Sequence, residues 1–208
     1  MTRYYINGAE VDVPADFKSF DSMLKGVENQ YLEPDTVIRQ ILVDGRPFSP
    51  ESLRDDDEYL DLAHDWEKIE FITGTLSDIA AESIDGAHEY LVKIESAAPA
   101  LAAKFQDFPE SEDFTNLGSL CEGLYFLGIL LDKIAIGYQF KLDEIMVHGA
   151  SVHEHMLKFA DIVAQMCNAQ EKEEFFLVAD IIEHEILPFV PIWKEIFEAV
   201  RQKTALTN

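Results

Sequence analysis

The spacing of apolar side chains changes near residue 75. Before it, short β-prone runs alternate with turn signals. After it, apolar residues recur in steps of three and four through most of the remaining chain. A period of two belongs to strands and a period of 3.6 to helices, so a small sheet-bearing part, residues 1–74, precedes a helical part, residues 75–208.

In the first part, Tyr4-Tyr5-Ile6 is followed by Asn7-Gly8, then by Val11 and Val13 alternating with Glu10 and Asp12. Asn-Gly between two such runs predicts a hairpin, because a type I′ turn needs positive φ at both central residues. Pro14 ends the second strand. Ser19 is placed to cap a helix whose apolar positions are Phe20, Met23, Leu24, Val27 and Tyr31, closed by Pro34. Residues 37–43 are a strand, Asp44-Gly45 a turn and Arg46-Pro47-Phe48 the start of a return. Asp55-Asp56-Asp57-Glu58 is a loop and Ile69-Glu70-Phe71-Ile72 the last strand.

That order of elements is the β-grasp, or ubiquitin-like, arrangement. Ile6-Asn7-Gly8, Val11, Pro14, Leu24, Val43-Asp44-Gly45 and Ile69-Glu70-Phe71-Ile72 resemble the small sulfur-carrier proteins of that superfamily over about a third of the chain. Those carriers act through a free C-terminal Gly-Gly. Here the matching strand runs through Thr73-Gly74-Thr75-Leu76 into a helix. The resemblance therefore implies a fold without the carriers' chemistry, and with it an interaction or scaffolding role.

In the second part Thr75 or Ser77 can cap a helix with a seam at Ala80, Ile84, Ala87, Leu91, Ile94, Ala98, Leu101 and Phe105. Pro99 should kink or restart it. A loop over 107–113 leads to a second helix starting near Phe114, with a seam through Leu117, Leu120, Leu124, Leu127, Leu131, Ile134 and Tyr138. Its glycines, Gly118, Gly123 and Gly128, mark either close helix approach or simple tolerance. A third helix over about 142–168, broken at Gly149, uses Val152, Met156, Phe159, Val163 and Met166. The fourth, after Asn168, uses Phe175, Ala179, Ile182, Ile186, Phe189, Trp193, Phe197 and Val200, with a bend at Pro188 and Pro191. The expected architecture is α+β: a small ubiquitin-like β-grasp domain followed by an antiparallel four-helix bundle. Residues 180–200, with a late Trp193-Lys194-Glu195, are similar to the last helix of the flagellar export chaperones, bundles that hold an unfolded flagellin segment. That resemblance covers one helix and implies a partner-holding bundle.

Charge narrows the function. Residues 1–72 carry 7 basic and 17 acidic side chains, and the rest carry 9 and 23, giving a net −24 for the chain. Such a surface repels phosphate backbones and anionic lipid, so neither nucleic acid nor membrane is an expected partner. The most apolar run, 123–131, is about half of what a membrane span needs. No signal-peptide run opens the chain, and two isolated thiols, Cys121 and Cys167, suit a reducing compartment. The expected location is the cytoplasm.

Motifs for catalysis are missing. No Glu has a His three positions later, as a di-iron bundle would need. Gly149-Ala150-Ser151-Val152-His153 departs from a GxSxG elbow at its last position. The acidic run at 55–58 lacks the glycine and twelfth-position glutamate of a calcium loop. Cys121 sits in an apolar helix, which raises a thiol pKa. The expected role is a non-catalytic protein-binding, adaptor or chaperone-like one, without cofactor. The alternative is a metal-binding bundle with a redox or hydrolytic role, holding one divalent ion between His148, His155 and Glu183. A partner surface is expected on the second helix, which bears a second apolar set beyond its seam: Tyr125, Phe126, Ile129 and Leu130. The sheet domain, a second copy of the chain as a homodimer, or another protein could cover it.

Overall fold

The computed structural model describes residues 2–13, 19–48 and 66–206; Pro14 and the acidic run Asp55 to Glu58 lie outside them. The chain is α+β and divides into two compact units, Met1–Ile79 and Ala80–Asn208.

The described residues of the first unit form a five-stranded mixed sheet with one helix. The strands are β1 (Arg3–Ile6), β2 (Ala9–Val11), β3 (Thr36–Val43), β4 (Arg46–Phe48) and β5 (Lys68–Thr75), in the order β2-β1-β5-β3-β4. Among the described strands β1 and β5 are the one parallel pair, Ile6 opposite Phe71. Asn7-Gly8 (φ 48° and 83°) and Asp44-Gly45 (φ 49° and 77°) make the type I′ turns that their sequences demand. Both turns also reach the central strand: Asn7 Oδ1 accepts from Thr73 N at 2.9 Å, and Asp44 Oδ1 accepts from Lys68 N at 2.8 Å. The helix, α1 (Phe20–Tyr31), starts at a capping box in which Ser19 and Ser22 exchange side-chain bonds. Its Phe20, Met23 and Val27 pack on Ile41, Ile69 and Phe71.

The unit ends later than residue 74, for a physical reason. The first turn of α2 (Leu76–Gln106) is tied to the sheet by Leu76 N donating to the Asp35 carbonyl at 2.9 Å. Thr75 Oγ1 caps that turn by accepting from Asp78 N at 3.0 Å.

The second unit is helical. After α2 come α3 (Ser111–Gly137), a 3₁₀ turn (Leu142–Glu144), a two-stranded hairpin of β6 (Met146–Val147) and β7 (Ala150–Ser151), α4 (Val152–Glu171), α5 (Phe175–Ile181) and α6 (Leu187–Ala205). The expected third helix over 142–168 is thus corrected: its first ten residues are a turn and a hairpin. His148-Gly149 (φ 50° and 81°) forms a third type I′ turn, and α4 begins at a capping box of Ser151 and Glu154. The Ser151 backbone N–H donates to Glu154 at 2.7 Å and holds that carboxyl below its usual range.

Two proline expectations also change. α2 continues through Pro99, which lies on its solvent side, where water can take the carbonyl the ring leaves free. Between α5 and α6 the departure is a single wide π turn, Ile182–Ile186, directly before Pro188. Proline cannot bond the carbonyl four residues back, and the wider turn accommodates it.

The core of this unit runs along α2, α3, α4 and α6 around an aromatic column. Trp193 stacks on Phe197 with centroids 5.8 Å apart and meets Phe159 edge-on at 5.3 Å. Lys194–Glu95 (2.6 Å) and Arg201–Asp85 (2.5 Å) join α6 to α2 at the surface. No helix among the described residues is long and apolar enough to cross a membrane.

Candidate functional site

The second apolar set of the sequence lies on α3, and the helix splits it by exposure. Leu124, Leu127 and Leu131 are sealed in the core, whereas Tyr125 and Phe126 are 72% and 61% exposed. Ile129 and Leu130 are half-buried. Tyr125 and Phe126 form the crest of a ridge, and Ile129 and Leu130 form its flanks.

An apolar groove runs along each side. The groove between α2 and α3, about 430 Å³, has walls of small residues, Ser83, Gly86 and Gly123, with Phe126 and Leu130 at its edge. The groove between α3 and α4, about 400 Å³, is lined by Tyr125, Gly128 and Ile129 on one side and Met156 and Ala160 on the other. Trp193 forms part of its lining, and Asp132 is the one charged residue there. The Trp193 indole N–H is buried and has no acceptor among the described residues.

Small residues create these channels, and the three glycines of α3 differ in what they do. At Gly123 a Cβ would stand 1.7 Å from Tyr90 Oη, so Tyr90 needs this glycine to lie across α3. The α3–α4 side is looser: at Gly128 the nearest atom to a Cβ would be Met156 Cε at 3.7 Å. Gly118 faces open space.

The α4 residues that meet this groove explain a shift in its seam. The expected Met156 and Val163 are only half-buried and line the groove. His155 and Ile162 take the core positions instead. His155 is drawn inward because its Nε2–H donates to the Val147 carbonyl at 2.9 Å, satisfying a hairpin oxygen, while its ring packs edge-on against Phe189 at 5.9 Å.

The three expected metal ligands are not brought together. His148 sits at the exposed hairpin tip with Nε2 2.7 Å from Glu195 Oε2, His155 is committed to Val147, and Glu183 belongs to the π turn. The left-handed turn at His148-Gly149 carries the first histidine to Glu195 on α6. Among the described residues no group of three or more His, Cys, Asp or Glu side chains could hold a metal ion.

The two cysteines, far apart in sequence, are neighbours across α3 and α4. Burial pushes the half-buried Cys121 thiol up to about 12, and the adjacent Cys167 thiol adds to the shift. A thiol with that pKa is ionised to roughly one part in 100,000 at pH 7, and the thiolate is the nucleophile. Iodoacetamide should therefore modify the exposed Cys167 quickly and Cys121 at least a hundredfold more slowly. The Cys121 rate should rise about tenfold per pH unit as its thiolate grows toward 12. Peptide mass spectrometry over time reads both, and equal rates at pH 7 would contradict the buried environment.

Residues 82–196, more than half of the chain and all of α3, α4 and both grooves, match the family described as Domain of unknown function (DUF8042). The chain belongs to this family. No curated protein and no solved structure matches it. The DUF8042 segment begins inside α2 and ends inside α6, so it takes in most of the helical unit and leaves out the sheet.

Proposed function

We propose that the protein is a non-catalytic binding or adaptor protein of chaperone-like type, and that the ridge of α3 with its two grooves is the face it offers to a partner. One observation carries this reading: two large apolar side chains, Tyr125 and Phe126, stand in solvent between two apolar channels. Burying apolar area yields roughly 25 cal/mol per Å², and monomers seldom leave such a contiguous patch uncovered without use.

The front unit is a β-grasp on this reading. Its support is the strand order with a central parallel pair and one helix packed on the sheet. The unit lacks a free Gly-Gly end at β5, which passes from Thr75 into α2, so it serves as a scaffold or second contact surface and conjugates nothing. The helical unit is a four-helix bundle on the same reading, since α5, the π turn and α6 follow one another without a break and act as one rod. Its acidity and two free thiols favour the cytoplasm, with no nucleic-acid or membrane partner. The similarity of residues 180–200 to flagellar export chaperones supports a bundle that holds a partner.

The test is Phe126→Asp and Leu130→Asp. Each should abolish partner binding, measured by calorimetry with the partner protein, while circular dichroism stays unchanged. Light scattering of the same variants reports whether the partner is a second copy. An intact fold with an unchanged mass and undiminished partner affinity would sink the proposal.

A further inference from the structure

Two contacts fix how α3 and α4 lie against each other. A Cβ at Gly128 would meet Met156 Cε at 3.7 Å. About two turns earlier on α3 and three turns later on α4, Cys121 meets Cys167. The helices therefore run antiparallel, and the thiols lie about one turn beyond Leu124 and Ala164 of the α3–α4 groove. The two sulfurs differ in depth. Cys121 packs half-buried against the core of the helical unit, whereas Cys167 is exposed. They are the only cysteines of the chain. Among the described residues no third His, Cys, Asp or Glu completes them as a metal site.

We propose that Cys121 and Cys167 are a dithiol–disulfide site: hydrogen peroxide oxidises the pair, and the resulting bond locks α3 to α4. The site stands independently of any partner at the α3 ridge. In a reducing compartment the pair rests as two thiols. The exposed Cys167 meets the oxidant first. Its thiolate attacks one peroxide oxygen; an S–O bond forms, the O–O bond breaks, and the departing hydroxide takes a proton to become water. Cys121 then attacks the Cys167 sulfenic sulfur. The S–S bond forms, the S–O bond breaks, and hydroxide leaves as a second water with the Cys121 proton. Two thiols are thus oxidised by two electrons and one peroxide is reduced to two waters. Burial pushes the Cys121 thiol up to about 12, which makes it a slow nucleophile in solution. Proximity offsets that, because a well-oriented neighbour reacts with an effective molarity of about 10⁵ M or more, roughly the inverse of the ionised fraction at pH 7. The same high pKa makes Cys121 a poor leaving group. A reducing thiol that attacks the exposed Cys167 sulfur must expel it, so the bond is released slowly.

The test treats dilute full-length protein with hydrogen peroxide and quenches with iodoacetamide. Non-reducing peptide mass spectrometry should find the Cys121 and Cys167 peptides joined, in a monomeric chain lighter by two hydrogens than the reduced protein. Dithiothreitol should restore both thiols. Thermal melts should place the oxidised form several degrees above the reduced one, because the closed loop restricts the unfolded chain. Cys121→Ser, with Cys121→Ala beside it in case serine disturbs the fold, should give a Cys167 sulfenic acid that dimedone traps and that the parent does not accumulate. Cys167→Ser should react with peroxide about a hundredfold more slowly than the parent. The inference is overturned if Cys121 stays a free thiol while Cys167 goes on to sulfinic acid, or if the product is a Cys167–Cys167 dimer. Oxidation of Cys167→Ser at the parent's rate overturns it as well. So does a bond that forms but lowers the melting temperature, which would be a forced cross-link and no lock.

Discussion

Leu127→Asp unfolds the helical unit, while the same change one residue earlier, Phe126→Asp, leaves it folded. Leu127 is 2% exposed and Phe126 61%. Truncating a buried leucine costs about 2–5 kcal/mol, and an ionised carboxylate in its place adds the cost of an unpaired buried charge. Against a total stability of roughly 5–15 kcal/mol, that removes most or all of the margin. At Phe126 the carboxylate stays in water, where surface changes typically fall within about 0.5 kcal/mol. For a chain of this size that corresponds to a melting shift of about 2 °C or less. Thermal melts followed at 222 nm compare the two directly. Loss of the fold in Phe126→Asp would mean that the ridge is internal and no partner surface exists there.

Phe71→Ala should collapse the sheet unit alone. Phe71 is fully buried on the central strand β5, flanked by Ile6 on β1 and Ile41 on β3. Its removal costs about 3–5 kcal/mol. A unit of this size rarely holds more than about that much from its core. The apolar cluster around Phe71 shares no residue with the cluster around Trp193. Hydrogen exchange should therefore show protection lost in β1, β3 and β5 and retained in α3, α4 and α6. Simultaneous loss in both sets would mean that the two units fold as one.

The residues that could be read from sequence are those whose local chemistry admits one answer. Asn7-Gly8 and Asp44-Gly45 between β-prone runs leave little but a type I′ turn. Ser19 before an apolar period of three and four marks a helix start. The leucine seam of α3, from Leu117 to Leu131, is buried at every position the spacing assigns. The hairpin at His148-Gly149 escaped because its strands are two residues each and sit inside an apolar pattern of helical period. Its signals were a turn dipeptide of the same kind and the capping box Ser151-Val152-His153-Glu154. The phase of α4 could not be read either, since burying His155 in place of Met156 depends on a carbonyl, Val147, that only the hairpin delivers. The ridge of Tyr125 and Phe126 was legible as surplus apolar area on one helix. The grooves beside it were not, because a groove depends on which small residues face each other across two helices, as Gly128 and Ala160 do. The pairing of Cys121 with Cys167 is of the same kind.

Whether α3 presents a binding face can be tested inside the native cell with one photo-crosslinking measurement. A benzophenone amino acid is placed at position 126 and, in a control, at Val92, an exposed apolar position on α2 outside both grooves. Irradiation should give a discrete protein adduct from position 126, none from position 92, and a much weaker one from position 126 when Leu130→Asp is added. The same adducts from both positions, or none from position 126, would contradict the account.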